Sequence, residues 1–151
     1  MDPSTAKSRS SWIIFYVGCP VSWASKHQSQ VALSTTEAEY IAMSQSLRDV
    51  IPVMNLLHET RERNYQVICT EPHVYCKVFE DNSGALELAR LPKLRPRTKH
   101  INVCYHHFRK HVHKGLIKIF PIDTKDQIAD SLTKALAQND FQRHRRFMCG
   151  K

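Results

Sequence analysis

Three acidic residues stand where the predicted strands and helices of this chain meet. Glu39 lies in the first turns of a long helical pattern, Asp81 directly follows a strand pattern, and Asp130 lies in a helical pattern after the last strand. Ligands of open α/β folds bind at the carboxyl ends of strands. Carboxylates that converge there without supporting Cys or His suit Mg²⁺, and a pair of such ions can drive phosphodiester hydrolysis. Acids are also common near helix starts because of the helix dipole, so spacing alone leaves a structural role open.

Two glutamates near the start of the long helix compete for the chemical role. In one frame Ser34 caps the helix and Glu37 completes a capping box, which leaves Glu39 for chemistry. In the other frame Thr36 is the cap and Glu39 is its structural partner. The local sequence leaves both frames open.

The elements that would position these acids follow from the hydrophobic pattern. Aromatic and β-branched runs at 12–17 and 21–25 predict a β-hairpin. A helical stripe follows, with Pro52 inside it, where proline should kink or split the helix. The stripe consists of Tyr40, Met43, Leu47, Val50, Met54 and Leu57.

Further patterns complete an α/β domain. Strands are predicted at 74–79 and 116–122, and helices at about 83–91, 103–114 and 125–136. This alternation favours a mixed sheet whose strands are joined by helical crossovers.

The positive charge of the chain is clustered. The net charge is +8, and clustered cations favour a polyanion because each neutralised phosphate releases counterions. A solvated basic face is the alternative. The clusters are Lys93, Arg95, Arg97, Lys99 and His100; Arg109, Lys110, His111 and Lys114; and Arg143, Arg145 and Arg146.

The sequence gives less support to a disulfide framework, a membrane span, a signal peptide or a zinc site. The 5 cysteines are scattered, which favours a reducing compartment over a disulfide framework. No apolar stretch is long enough to cross a membrane, and the first residues lack a signal-peptide layout. His107 and His111 are one helical turn apart and suit two zinc ligands, but no second Cys/His cluster lies at finger spacing.

The chain contains four strings that together resemble the ribonuclease H domain at the end of copia-type (Ty1/copia) retrotransposon Pol polyproteins. The resemblance extends from about Ser8 to Leu136. In order, the strings are PVSWASKHQSQVALSTTEAEYIAMS, FEDNSGALELA, RTKHINVCYHHFR and TKDQIADSLTKAL.

The resemblance implies a fold, an activity and a ligand set. The fold would be a ribonuclease H-like mixed sheet flanked by helices, and the activity would be metal-dependent hydrolysis of the RNA strand in RNA–DNA hybrids during reverse transcription. The family's E-x-x-A pattern matches Glu39 and Ala42, which favours Glu39 over Glu37. Asp81 and Asp130 match two further acids of the Mg²⁺ site. The implied partners are the hybrid and the reverse transcriptase portion of the same polyprotein.

The same resemblance suggests where nucleic acid would be contacted. Arg97, Lys99 and His100 lie in a basic loop, and Arg109 lies in the following helical pattern. A charged, solvated loop is the competing interpretation.

The family's first, central strand carries a further aspartate, and we expect both to be missing from this chain. Asp2 matches a downstream loop position and is a poor substitute. The two-ion site is therefore expected to be incomplete, and the hairpin to be separated from the remaining strands. The domain assignment is a truncated ribonuclease H-like domain at 1–136 and a basic C-terminal tail at 137–151.

Two functions remain in competition. The first is a retrotransposon ribonuclease H domain that is inactive as an isolated fragment and folds poorly alone. The second is a non-catalytic, basic nucleic-acid-binding remnant of a decayed or host-adopted retroelement. The expected location is the cytoplasm, within virus-like particles, or the nucleus.

Overall fold

The computed structural model describes residues 7–63, 65, 74–91 and 103–150. The regular elements in these ranges alternate between strands and helices, as the sequence predicts. They are β1 (Arg9–Tyr16), β2 (Cys19–His27), α1 (Thr35–Glu62), β3 (Cys76–Glu80), α2 (Ser83–Arg90), α3 (Arg109–His113), β4 (Ile117–Pro121) and α4 (Gln138–Cys149), with 3-10 turns at Val103–His106, Thr124–Asp126 and Ile128–Leu132.

The strands of the described ranges form two small sheets. β1 and β2 pair antiparallel as a hairpin, and β3 and β4 pair parallel. A parallel pair needs a crossover connection, which here includes α2 and α3. The hairpin is separate from the other two strands, as expected, and these residues do not form one continuous sheet of the ribonuclease H type.

Helix α1 packs against β1 and shares one hydrophobic core with the β3–β4 sheet. Tyr40 and Leu47 are fully buried on its inner face, and the other buried members of the predicted stripe join the same core. Ile117 and Ile119 of β4 pack there as well. Of the two effects predicted for Pro52, a kink or a split, the split is excluded, because α1 runs unbroken from Thr35 to Glu62.

The hairpin turns through two residues, Val17 and Gly18, between the paired residues Tyr16 and Cys19. Both have positive φ, 52° and 76°, as a tight two-residue hairpin of this handedness requires. Glycine adopts this conformation freely, whereas a β-branched residue does so at a cost.

The C-terminal third differs from the sequence prediction. The helix expected at 125–136 is replaced by the 3-10 turns at Thr124–Asp126 and Ile128–Leu132. The segment expected as a basic tail contains α4, whose His144 is buried. The helix expected at 103–114 is a 3-10 turn followed by the short α3.

Candidate active site

One cavity of about 1040 Å³ lies between the hairpin and β3, with α1 as its floor. Five carboxylates line it: Glu39 from α1, Glu80 and Asp81 from the end of β3, and Asp126 and Asp130 from the turns after β4. The three acids singled out from the sequence thus border a common space, together with two others.

The start of α1 decides which glutamate is available. Ser34 is the N-cap, and its hydroxyl accepts a hydrogen bond from the Glu37 backbone N–H at 3.1 Å. The Glu37 carboxylate accepts from the backbone N–H of Leu33 at 2.9 Å and is buried. The frame with Ser34 as cap is therefore confirmed, and Glu39 is left to face the cavity.

The start of α2 holds Asp81 beside α1. Asn82 caps α2, and its Oδ1 accepts from the Ala85 N–H at 3.0 Å and from the Thr36 hydroxyl at 3.3 Å. A Cβ placed on Gly84 would lie 2.8 Å from Thr36 Oγ1. A glycine at this position therefore allows the two helix starts to approach closely, which brings Glu39 and Asp81 to the same end of the domain.

The turn that carries Asp130 is tied to its neighbours through its main chain. Ser11 of β1 donates to the Ala129 carbonyl at 2.8 Å, and Ser25 of β2 donates to the Leu132 carbonyl at 2.8 Å. The hairpin therefore holds the backbone on both sides of Asp130 by hydrogen bonds. These bonds come from residues more than a hundred positions away in sequence.

Helix α4 holds the same turn from the opposite direction. Nε2 of His144 lies 3.0 Å from the Lys125 carbonyl, and Nδ1 lies 2.8 Å from the Ser131 hydroxyl. Because a carbonyl can only accept, Nε2 must donate, and Nδ1 of the neutral ring then accepts from Ser131. Arg143 adds an ion pair to Asp126 at 2.6 Å.

The electrostatics of the cavity show that the carboxylates interact. Burial raises the pKa of Glu39, and the charges of Asp81 and Asp130 raise it further, while Lys134 opposes them. Burial also raises the pKa of Glu80 to about 7, against the lowering effect of its hydrogen bond from the Asn82 N–H. The cavity therefore concentrates negative charge that is only partly compensated.

Lys134 supplies the nearest positive charge. Its Nζ lies 2.8 Å from Asp130 Oδ2. Burial lowers the pKa of Lys134, but the hydrogen bond to Asp130 and the charges of Asp130, Asp81 and Glu39 outweigh that effect and raise it. The ammonium group thus occupies one side of Asp130, where a metal ion would otherwise compete for the same oxygen.

The carboxylates are of the chemical type that Mg²⁺ prefers. In the described ranges, however, no three His, Cys, Asp or Glu side chains lie close enough together to hold a metal ion. The same finding gives the histidines of the 103–113 region no support as a zinc site. His106 lies instead 2.7 Å from the Tyr40 hydroxyl through its Nδ1.

Of the residues predicted to contact nucleic acid, Arg109 is described by the structure and does not line the carboxylate cavity. Arg109 is buried, and its guanidinium donates to the Leu91 carbonyl. The burial leaves little of this side chain exposed for a phosphate contact, which stays a prediction. Arg97, Lys99 and His100 lie outside the described residues.

The sequence argument missed Glu80. Alternation along a strand would turn Glu80 away from Asp81, but Asp81 lies beyond the last residue of β3, where alternation no longer applies. Glu80 shares the inner face of the strand with Cys76 and Val78. The period-two pattern C-x-V-x-E was the signal that could have found it.

Comparisons with known proteins found similar sequences in transposon polyproteins. A retrovirus-related Pol polyprotein from transposon TNT 1-94 of Nicotiana tabacum is 36% identical over 141 residues, 93% of this chain and 10% of that protein. The chain is similar to transposon Pol polyproteins. The corresponding polyproteins from transposons RE1 and RE2 of Arabidopsis thaliana are 36% and 35% identical, each over 89% of this chain and 9% of their own length.

These similarities support a retroelement origin for the chain. The chain spans about a tenth of the length of these relatives. No protein-family model matches it, and no solved structure is significantly similar. In the described part of the chain, no helix is both long and apolar enough to span a membrane.

Proposed function

We propose that this chain is the ribonuclease H portion of a copia-type Pol polyprotein, in which Glu39, Asp81 and Asp130 belong to a metal-dependent centre. The substrate is the RNA strand of an RNA–DNA hybrid, and the neighbouring partner is the reverse transcriptase portion of the same polyprotein.

The observation that carries this proposal is that the three acids line one cavity, although they come from α1, the end of β3 and the turn after β4. The charges of Asp81 and Asp130 add to the effect of burial in raising the pKa of Glu39. Separate surface acids or helix caps would not converge on one cavity. The similarity to transposon Pol polyproteins supports a nucleic-acid-processing role for that cavity.

Mg²⁺, when bound, would polarise the scissile phosphate and activate a water. The chain's own residues supply the surroundings. Ser11, Ser25 and His144 fix the backbone that carries Asp130. Lys134 neutralises Asp130 in the metal-free chain and must yield that oxygen before an ion can take it.

The non-catalytic alternative is favoured by one observation. No group of three metal-binding side chains is assembled among residues 7–63, 65, 74–91 and 103–150. A chain that binds nucleic acid without cutting it would need no such group. Cleavage is therefore the deciding measurement.

The test exchanges the matching region of the RE1 polyprotein for this chain and measures cleavage of a labelled RNA–DNA hybrid. We expect Mg²⁺-dependent cleavage that Asp81→Asn abolishes, with a loss of at least about a hundredfold, because the amide loses the negative charge that a metal ion requires.

The matched control is Asp123→Asn, which changes an exposed acid of the same loop region whose side chain is 75% accessible. It should leave cleavage unchanged. An exchanged polyprotein that folds and binds the hybrid but does not cut it, while the unexchanged RE1 protein does, would exclude the nuclease and favour the non-catalytic alternative.

A further inference from the structure

The outer face of the β3–β4 sheet carries aromatic and basic side chains in register. Phe79 of β3 lies opposite Phe120 of β4, and Lys77 lies opposite Lys118. The phenylalanine rings are 5.9 Å apart between centroids, and their planes are inclined by 32°. Tyr75 completes the group, with the Lys118 ammonium 4.6 Å from its ring centroid. We call these five residues the outer face.

The outer face is open to solvent. Phe79 and Phe120 retain 51% and 37% exposure, while Val78 and Ile119, their neighbours along the strands, turn into the core. Large apolar rings at this exposure, grouped on one surface, indicate a binding site more often than isolated ones do. Unlike the carboxylate cavity, this surface is not explained by the proposed function.

The arrangement of the lysines is unfavourable for folding alone. Like charges directly opposite each other on paired strands destabilise a sheet, and Lys77 and Lys118 occupy such positions. The Tyr75 ring lies near both ammonium groups, at 5.7 Å and 4.6 Å, and offsets part of the repulsion.

The chemistry of the face selects its ligand. An apolar protein partner would bury the two lysines without an opposite charge, which is costly. A nucleic-acid strand offers phosphates to the lysines and flat bases to the phenylalanines. In a duplex the base faces are already stacked on each other, so unpaired bases are required. The net charge of +8 favours the same class of ligand.

We propose that Tyr75, Lys77, Phe79, Lys118 and Phe120 form a binding platform for single-stranded nucleic acid on the outer face of the β3–β4 sheet. Tyr75, Lys77 and Phe79 also border the carboxylate cavity. The phenylalanines stack on bases, and the lysines neutralise the adjoining phosphates. The platform needs neither a metal ion nor cleavage, so it stands or falls independently of the nuclease proposal.

The first experiment measures binding of a short fluorescein-labelled oligouridylate to the 151-residue chain by fluorescence anisotropy. Phe79→Leu and Phe120→Leu keep an apolar side chain but remove the flat ring, and each should weaken binding by about tenfold. Phe120→Trp should preserve binding. Lys77→Gln and Lys118→Gln should each reduce the slope of log Kd against log salt concentration by about 0.7.

Matched controls lie elsewhere on the surface. Phe141→Leu changes an exposed phenylalanine of α4, and Lys114→Gln changes an exposed lysine after α3. Both should bind as the wild type does. Far-UV circular dichroism confirms that each variant compared is folded.

A second measurement uses the unaltered chain, so it does not depend on the folding of any variant. Photo-crosslinking with an iodouracil-substituted oligonucleotide should attach the strand to peptides that contain Phe79 or Phe120. Crosslinks confined to other peptides, absent binding by the wild type, or leucine variants that bind as well as the wild type would each overturn the proposal. If the outer face binds only protein, the wild-type chain will not bind the oligonucleotide.

Discussion

Glu80 is the residue whose ionisation should most affect stability. Its carboxyl group is buried, and its pKa in the folded chain is raised to about 7 from an ordinary value of 4.5. The unfolded chain therefore loses this proton at lower pH than the folded chain. The stabilising contribution is complete below about pH 4.5 and is lost as the pH rises to about 7.

Replacing Glu80 with Gln should remove this pH dependence. Gln can still accept from the Asn82 N–H but carries no charge, so Glu80→Gln should stabilise the chain at pH 8 by up to about 3 kcal/mol relative to pH 4. Urea denaturation in EDTA at both pH values measures the difference. The exposed Glu59→Gln serves as control, and equal responses of both variants would show that Glu80 does not ionise as described.

Lys134 is the residue that should regulate access of cations to the cavity. Lys134→Gln removes the ammonium group beside Asp130, and the ion pair of a half-exposed lysine is worth about 1 kcal/mol or less. We therefore expect Mg²⁺ to bind up to about fivefold more tightly. Isothermal titration calorimetry measures this, with the exposed Lys114→Gln as control. Weaker Mg²⁺ binding would indicate that Lys134 helps rather than competes.

At the scale of elements, the contact between the starts of α1 and α2 depends on Gly84. Alanine there gains up to about 1 kcal/mol in helix propensity, but its Cβ would meet Thr36 Oγ1 at 2.8 Å. Threonine is β-branched and rotates poorly out of the way. We expect the clash to dominate, so that Gly84→Ala destabilises the chain by about 1 kcal/mol or more.

The matched double variant tests the cause of that loss. With Thr36→Ala present the obstacle is gone, and Gly84→Ala should become neutral or stabilising. Chemical denaturation of the four members of the cycle gives the coupling energy. If the two substitutions add without coupling, the close approach of the two helix starts is not what requires glycine.

The elements differ in how far local sequence determines them. The hairpin and α1 were predicted because alternation and a helical stripe are properties of adjacent residues. The turn around Asp130 was not predicted, because Ser11 and Ser25 of the distant hairpin donate hydrogen bonds to its backbone. Helix α4 was missed because Ala137 gives it no side-chain cap and because its buried residue is the polar His144.

The same reasoning explains what could be predicted of the candidate site. Glu39, Asp81 and Asp130 were chosen from a resemblance, and the structure places them around one cavity. The roles of Lys134 and Glu80 could not be predicted from the sequence, because their pKa values depend on burial and on charges from other elements. That the three acids bind metal is still a prediction.

At the scale of the whole molecule, we expect the hairpin to be attached more weakly than the rest. Of its residues, Trp12 is the one large side chain that is buried, whereas β4 contributes Ile117 and Ile119 to the core. A two-stranded ribbon is marginally stable by itself. We expect the amides of β1 and β2 to exchange hydrogen faster than those in the buried turns of α1.

Hydrogen exchange followed by mass spectrometry measures this directly. The peptide covering β1 and β2 should lose protection at lower denaturant concentration than the peptide around Tyr40–Leu47. The β3–β4 peptides serve as an internal comparison, since those strands pack on the main core. A single unfolding event with the same protection in all peptides would contradict a weakly attached hairpin.

The division into two sheets also affects how long such a chain would persist in a cell. Each described strand has a partner on one side and a second edge whose backbone groups are unpaired within the described ranges. Exposed strand edges attract other chains, and transient opening exposes them to chaperones and proteases. The abundance of this protein would then be governed by turnover as well as by synthesis, and any molecule that covers β1 and β3 would lengthen its lifetime.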